Sequence, residues 1–269
     1  MKGTYPTLIK REFWENRSLY LAPLIAAAVM LIMWVWGALF AGAHFRFNFN
    51  NAPTALPAEI SRMGIGLYGL AMQLFFVSSL VSGFYLLDCL YAERKDRSIL
   101  FWKSLPVSDL QTVVSKFVVA MLIVPLGVFV LASVLYPVLY AIAAAGVANF
   151  NIMSGGWNTA EWLRAEASML GGLLATQLWY APLAAWNMAA SVLSRRSPAL
   201  MAVLPIVVVA ICEGVMFSSR HFLMFVVERL RPVGDPMEGL QRPSMWIGLA
   251  VTAGMLYIVI RLRRYRDDT

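Results

Sequence analysis

Across 269 residues the chain is 60% hydrophobic and only 14% charged, whereas soluble domains run roughly 45–50% apolar and about 25% charged. A mean hydropathy of +0.68 excludes a pair of soluble domains and places the chain among integral membrane proteins. The net charge of +7 does not point to nucleic acid, because the cations flank apolar runs instead of lining a hydrophilic face.

Apolar runs of roughly 20 residues match a hydrocarbon core about 30 Å thick. Six are read here, at 19–42, 63–90, 117–147, 163–193, 199–217 and 245–262. The expected fold is all-α, a polytopic membrane protein forming a single domain over residues 1–269. Ahead of the first span, residues 1–18 set Tyr5, Leu8, Ile9 and Phe13 on one helical face, with Lys10, Arg11 and Arg17 at its flanks or opposite. This is the pattern of a helix lying in the interface with its cations reaching lipid phosphates; a plain topogenic anchor fits the same cations. Ala41-Gly42-Ala43 resembles a secretory cleavage site, but the apolar run before it, about 24 residues, exceeds the 7–15 of a signal peptide. It is therefore read as a membrane helix.

The loop at 43–62 carries Asn48, Asn50, Asn51, Pro53 and Pro57 and is expected to be irregular. In the second span, Ser78 with Ser82 and Ser79 with Gly83 have the four-residue spacing that lets helices approach closely. Asp88 ends that span and is expected to join Arg94 or Lys95.

Residues 91–116 form the most distinctive segment. A few polar residues would suffice for a turn, yet five charges run together: Glu93, Arg94, Lys95, Asp96 and Arg97. Ser98 and a short amphipathic stretch follow, with Ile99, Leu100, Phe101, Trp102 and Leu105 before Pro106. Ser108 and Gln111 then have the spacing of a capping box, and Lys116 opens the third span. The segment reads as a docking element.

The fourth span has small residues at Ala167, Gly171, Ala175 and at Ser168, Gly172, Thr176, marking either an internal helix contact or a subunit seam. Gln73, Gln177 and Asn187 are expected to hydrogen-bond between helices. A turn at Ser194 to Pro198 leads into the fifth span, which holds Glu213 near its end. Charges inside spans are functional candidates. Glu213 has two readings: an ion pair or helix break involving Arg220 or His221, or a site that binds or relays a cation. The loop at 218–244 contains the apolar run Phe222 to Val227, too short to cross and suited to an interfacial helix.

Lys and Arg set the orientation. Fifteen fall at the N-terminus, in 91–116, at Arg195 and Arg196, and at the C-terminus, against seven in the other connections. Both termini and the docking segment are expected in the cytoplasm of a bacterium, the chain residing in its inner membrane. Cys89 and Cys212 lie far apart without metal-ligand spacing and read as small core hydrophobes outside any disulfide. His44 and His221 have no neighbouring ligand set, and no phosphate-binding loop, H-E-x-x-H or G-x-S-x-G is present. The chain is expected to catalyse nothing by itself.

Glu93-Arg94, Ser98, the hydrophobic stretch, Leu105-Pro106-x-Ser108 and Ser115-Lys116 together resemble the connection between the second and third helices of the ATP-binding-cassette type-2 permease family. The six spans, cytoplasmic termini and N-terminal interfacial helix are similar to that family along the whole chain. Asp96-Arg97-Ser98 departs from the glycine-threonine pair of many members, which bears on docking geometry. The resemblance implies a permease subunit, holding no cofactor, whose 91–116 segment is a coupling helix. Its partners would be two copies of an ATPase subunit, which carry the ATP and Mg, a second permease chain, identical or paralogous, and membrane lipid. Glu93, Arg94, Asp96, Arg97, Ser98, Ile99, Phe101, Trp102, Leu105, Pro106, Ser108 and Lys116 would form the docking set. The rival expectations are a carrier driven by an ion gradient through Glu213, and a membrane anchor that transports nothing.

Overall fold

A computed structural model describes residues 4–40, 62–96, 107–142, 157–233 and 236–265. Every regular element among them is a helix. In chain order these are α1 (Thr4–Glu15), α2 (Ser18–Phe40), α3 (Arg62–Asp88), α4 (Tyr91–Lys95), α5 (Asp109–Val118), a π-turn (Val119–Ile123) and α6 (Val124–Ile142). Then come α7 (Thr159–Leu193), α8 (Pro198–Phe217), α9 (His221–Arg229), α10 (Pro236–Gln241) and α11 (Pro243–Tyr265). Helices are the expected result: with no water in the hydrocarbon, backbone groups must be satisfied within the segment.

Five stretches are long and apolar enough to cross a membrane: Ser18–Trp36, Gly66–Lys95, Asp109–Ile142, Pro198–Phe217 and Pro243–Tyr265. The remaining expected span, 163–193, lies inside α7. At 35 residues that helix is about 52 Å long, but its first two turns carry Glu161, Arg164 and Glu166, and Gln177 and Asn187 interrupt its apolar run. It is the central element, packing against α3, α8 and α11. α3 also packs on α2 and α6. α8 touches the bundle along a narrow flank only, and just 6% of its apolar window is buried.

The third apolar stretch starts at Asp109 instead of 117, because α5, the π-turn and α6 run as one continuous rod. Pro125 explains the π-turn. It has no N–H to give the Met121 carbonyl four residues earlier, so the turn ahead of it widens to the longer hydrogen-bond register. Pro182 has the same effect on the Leu178 carbonyl within α7.

Packing divides into clusters. Leu19, Leu86, Val113, Met188 and Val259 anchor one at the end of the bundle that carries α1 and the last turn of α11. Ala27, Leu67, Leu74, Leu135 and Met169 anchor another towards the opposite end. Trp179 and Met245 form a third beneath α9. The run Phe222 to Val227 is helical, as α9; both cysteines are free thiols, Cys89 buried as expected of a core residue and Cys212 exposed on α8, against that expectation.

Several sequence expectations are corrected. Asp88 is exposed and makes no ion pair among the described residues, since Arg94 turns instead to carbonyls of α7. Gln73, Gln177 and Asn187 form no interhelical hydrogen bond among the described residues. On α1, Leu8 is buried and Ile9 and Phe13 pack on the core as expected, but Tyr5 is exposed and Glu12 joins the inward face. The register places residues 8 and 12 four apart on one face, and the acid sits where the apolar pattern predicts only hydrophobes.

Candidate functional site

Both described ends of the 91–116 segment, read from sequence as a docking element, meet in one buried ionic cluster. α1 contributes Glu12 and Arg11, α4 contributes Glu93, α5 contributes Lys116 and Asp109, and α11 contributes Arg263. Glu12, Glu93, Lys116 and Arg263 are each buried, at 0%, 7%, 2% and 5% exposure.

Lys116 sits at the centre. Its Nζ donates to both carboxylate oxygens of Glu12, at 3.0 and 2.9 Å, and lies 3.2 Å from Oε1 of Glu93. The second oxygen of Glu93 accepts from Nη2 of Arg263 at 2.9 Å. Its first oxygen also accepts from Nη2 of Arg11 at 3.1 Å. Tyr85 of α3 donates its hydroxyl to Glu12 at 2.7 Å. Asp109 lies 3.7 Å from Nε of Arg263 at the cluster edge. Glu12, Glu93 and Asp109 thus face Lys116, Arg11 and Arg263, and the more exposed Glu15 adds a carboxylate on Arg11 at 3.0 Å, so among the described residues the opposite charges nearly balance. That balance, with the hydrogen bonds completing each carboxylate, is what makes burial of so many charges tolerable.

The local sequence explains the placement. Glu12 projects inward one turn beyond Leu8. Lys116 lies two turns into a helix that begins with a capping box: Ser108 Oγ accepts from the Gln111 amide at 3.2 Å, and the Ser108 amide donates to Gln111 Oε1 at 3.1 Å. That cap fixes where α5 begins, and therefore which face carries Lys116.

A second clamp holds the same segment to α7. Arg94 donates from Nη2 to the carbonyls of Ser191 and Ser194 at 2.7 and 2.9 Å. These lie in the last turn of α7, where carbonyls lack helical partners and a cation is favoured. Ser191 Oγ accepts from the amides of Leu90 and Tyr91 at 3.2 and 3.0 Å. The ends of α1, α3, α7 and α11 and the start of α5 are thereby fastened together. Of the sequence-derived docking residues, Glu93 and Lys116 face inward, Arg94 clamps α7, and Asp96 and Ser108 are exposed. Arg97, Ser98, Ile99, Phe101, Trp102, Leu105 and Pro106 lie outside the described residues.

Glu213 occupies a different place. Ser218 adopts the left-handed conformation, φ 49°, and folds the chain back over the end of α8. Glu213 then accepts from Ser219 Oγ and from the amides of His221 and Phe222, each at 2.9 Å. The carboxylate caps the N-terminus of α9, satisfying orphan amides where the helix dipole favours negative charge. Its partner at His221 is the backbone, not the imidazole. Glu213→Ala is expected to raise amide exchange in Leu223 to Val227 several-fold, with Glu213→Gln intermediate. Hydrogen-exchange mass spectrometry reads both.

Two buried charges escape the sequence reading. Arg229 in α9, 3% exposed, lies 3.9 Å over the Trp179 ring and donates to the carbonyls of Trp179, at 3.1 Å, and Ser244. Burial holds its guanidinium below the usual arginine pKa, yet far above neutrality. Glu166 of α7 accepts from Ser133 of α6 at 2.6 Å. No group of His, Cys, Asp and Glu suited to a metal occurs among the described residues.

No protein-family model, curated protein or solved structure matches the chain. It is a helical, multi-pass membrane protein by its own five apolar helices.

Proposed function

We propose that the chain is the permease subunit of an ATP-driven transporter, working as an exporter in a bacterial inner membrane. α7 supplies a sixth crossing, and both termini lie in the cytoplasm. The observation that carries this reading is the buried ionic cluster. It anchors both ends of the 91–116 segment to α1 and α11, and Arg94 fastens the segment to α7.

A docking element that drives transport must transmit a push to the helices instead of absorbing it. Glu93 and Lys116 sit on either side of residues 97–106 and are bonded to the same cluster, so a displacement of that segment acts on four helices together. An ATPase seated on Ile99, Phe101, Trp102 and Leu105 would bias the bundle if ATP favours one of its arrangements. The chain itself holds no nucleotide; ATP and Mg belong to two ATPase subunits, and a second permease chain completes the pathway. A gradient-driven carrier would need a carboxylate free to exchange cations, whereas Glu213 is engaged by three donors at the head of α9.

Replacing Phe101 and Trp102 together by Ala is expected to weaken ATPase association about 100-fold or more, since buried aromatic anchors dominate such interfaces. Co-purification under a fixed wash measures it. Undiminished retention of the ATPase by a folded double variant contradicts the docking assignment.

A further inference from the structure

The small-residue stripes of α3 and α7 make the expected helix contact at Ser168, which accepts from Tyr68 at 2.9 Å, but leave room at two glycines. Gly83 of α3 and Gly172 of α7 each have no atom within 4 Å of the point a Cβ would occupy. The flanking helices carry proline, Pro125 beyond the π-turn and Pro182 in α7. Between them lies a cavity of about 560 Å³, lined on one side by Leu230, Pro232 and Val233 and open beside the exposed Phe76 and Leu80. It lies where the three apolar clusters meet, touching Leu86 of the first, Met169 of the second and Val233 beside the third. Its volume falls in the range of about 300–1,000 Å³ usual for small-molecule sites.

The walls are chemically selective. Met72, Phe75, Met121 and Leu173 make them mostly apolar. Ser82 also lines the cavity; it is 6% exposed and its hydroxyl has no hydrogen-bond partner. The amides of Gln177 and Asn187 add further donors and acceptors that bond to no described residue. None of the described lining residues is charged. Arg229, although next to Leu230 in sequence, is committed to the carbonyls of Trp179 and Ser244. A charged ligand would be desolvated here without compensation, whereas an uncharged polar group would find the hydroxyl and amides waiting.

We infer that this cavity binds an uncharged amphiphile, a single alkyl or aryl body carrying one or two neutral hydrogen-bonding groups. The body lies against Met72, Phe75 and Met121, and the polar group reaches Ser82, Gln177 or Asn187. The inference rests on the permease reading only in naming this ligand class as cargo; binding itself needs no ATPase.

The test uses the purified full chain in phospholipid nanodiscs with two photoactivatable probes. One is a diazirine-bearing monoacylglycerol, and the other is phosphatidylcholine carrying the same diazirine chain. The neutral probe is expected to label peptides spanning 72–86 and 172–187 about tenfold more than the phospholipid does. Gly83→Leu and Gly172→Leu, which fill open space, should each cut that labelling about tenfold while labelling of lipid-facing α8 stays unchanged. Ser82→Ala removes only the unpartnered hydroxyl and should weaken labelling without lowering the melting midpoint. Equal labelling by both probes identifies ordinary bilayer lipid and overturns the proposal, as does labelling that survives all three substitutions. Because no ATPase is present, failure here is separable from failure of the docking assignment.

Discussion

Lys116→Met is expected to destabilise the protein by about 3–5 kcal/mol, because it leaves buried carboxylates without their shared cation. Nζ of Lys116 joins Glu12 to Glu93, with contacts of 2.9 to 3.2 Å. Arg11 Nη2 also reaches both acids, at 3.5 and 3.1 Å, from the less buried side of the cluster, so removing Lys116 leaves them sharing only that more distant cation. Thermal unfolding in mild detergent measures the loss. The pairing also predicts non-additivity: Glu12→Gln with Lys116→Met should recover much of the stability lost in Lys116→Met alone, since neighbours in one network are coupled. Lys116→Met unchanged in melting from the parent chain would mean that the cluster does not fasten the segment.

Arg229→Met is expected to cost about 3 kcal/mol, because two charge-assisted hydrogen bonds vanish and two buried carbonyls lose their donor. The side chain ties α9 to both α7 and the start of α11, so its loss should loosen that end of the molecule selectively. Hydrogen exchange is expected to rise in α9 and the first turns of α11 while the ionic cluster stays protected. Arg229→Lys should not rescue, because an ammonium lacks the planar fork that reaches two carbonyls while stacking on Trp179. Gly248 gives an independent check: a Cβ there would stand 2.7 Å from the guanidinium nitrogens. Gly248→Ala should therefore reproduce part of the Arg229→Met phenotype without touching the arginine.

Apolar length carried most of the fold. α2, α8 and α11 are legible because a lipid-facing helix is apolar all round, and its ends are marked by charge or proline. α7 is the instructive exception: its interior contacts relieve it of facing lipid everywhere, so it tolerates Glu166, Gln177 and Asn187 and reads as less apolar. The capping box at Ser108 was legible because its two partners are three residues apart.

The ionic cluster was only half legible. Glu93, Arg94 and Lys116 stood out, but their partners are separated from them by 82 to 170 residues, beyond any local pattern. Glu12 had one usable signal, an acid four residues after Leu8 on the inward face of an interfacial helix. Glu213 shows the reverse. Its position near the end of an apolar helix invited a transport role, and only the left-handed turn at Ser218 reveals it as a cap. The small-residue stripes of α3 and α7 predicted contact, which Ser168 makes with Tyr68, yet at Gly83 and Gly172 the missing side chains leave open space, a difference that spacing alone does not carry.

The most direct measurement is purification of the chain from its native membrane in mild detergent, with the co-purifying subunits counted and assayed for ATP hydrolysis. The account predicts a soluble ATPase in stoichiometric amount, two copies per assembly, lost when Phe101 and Trp102 are both changed to Ala. A chain that purifies without an ATPase and transports in its absence would contradict the account.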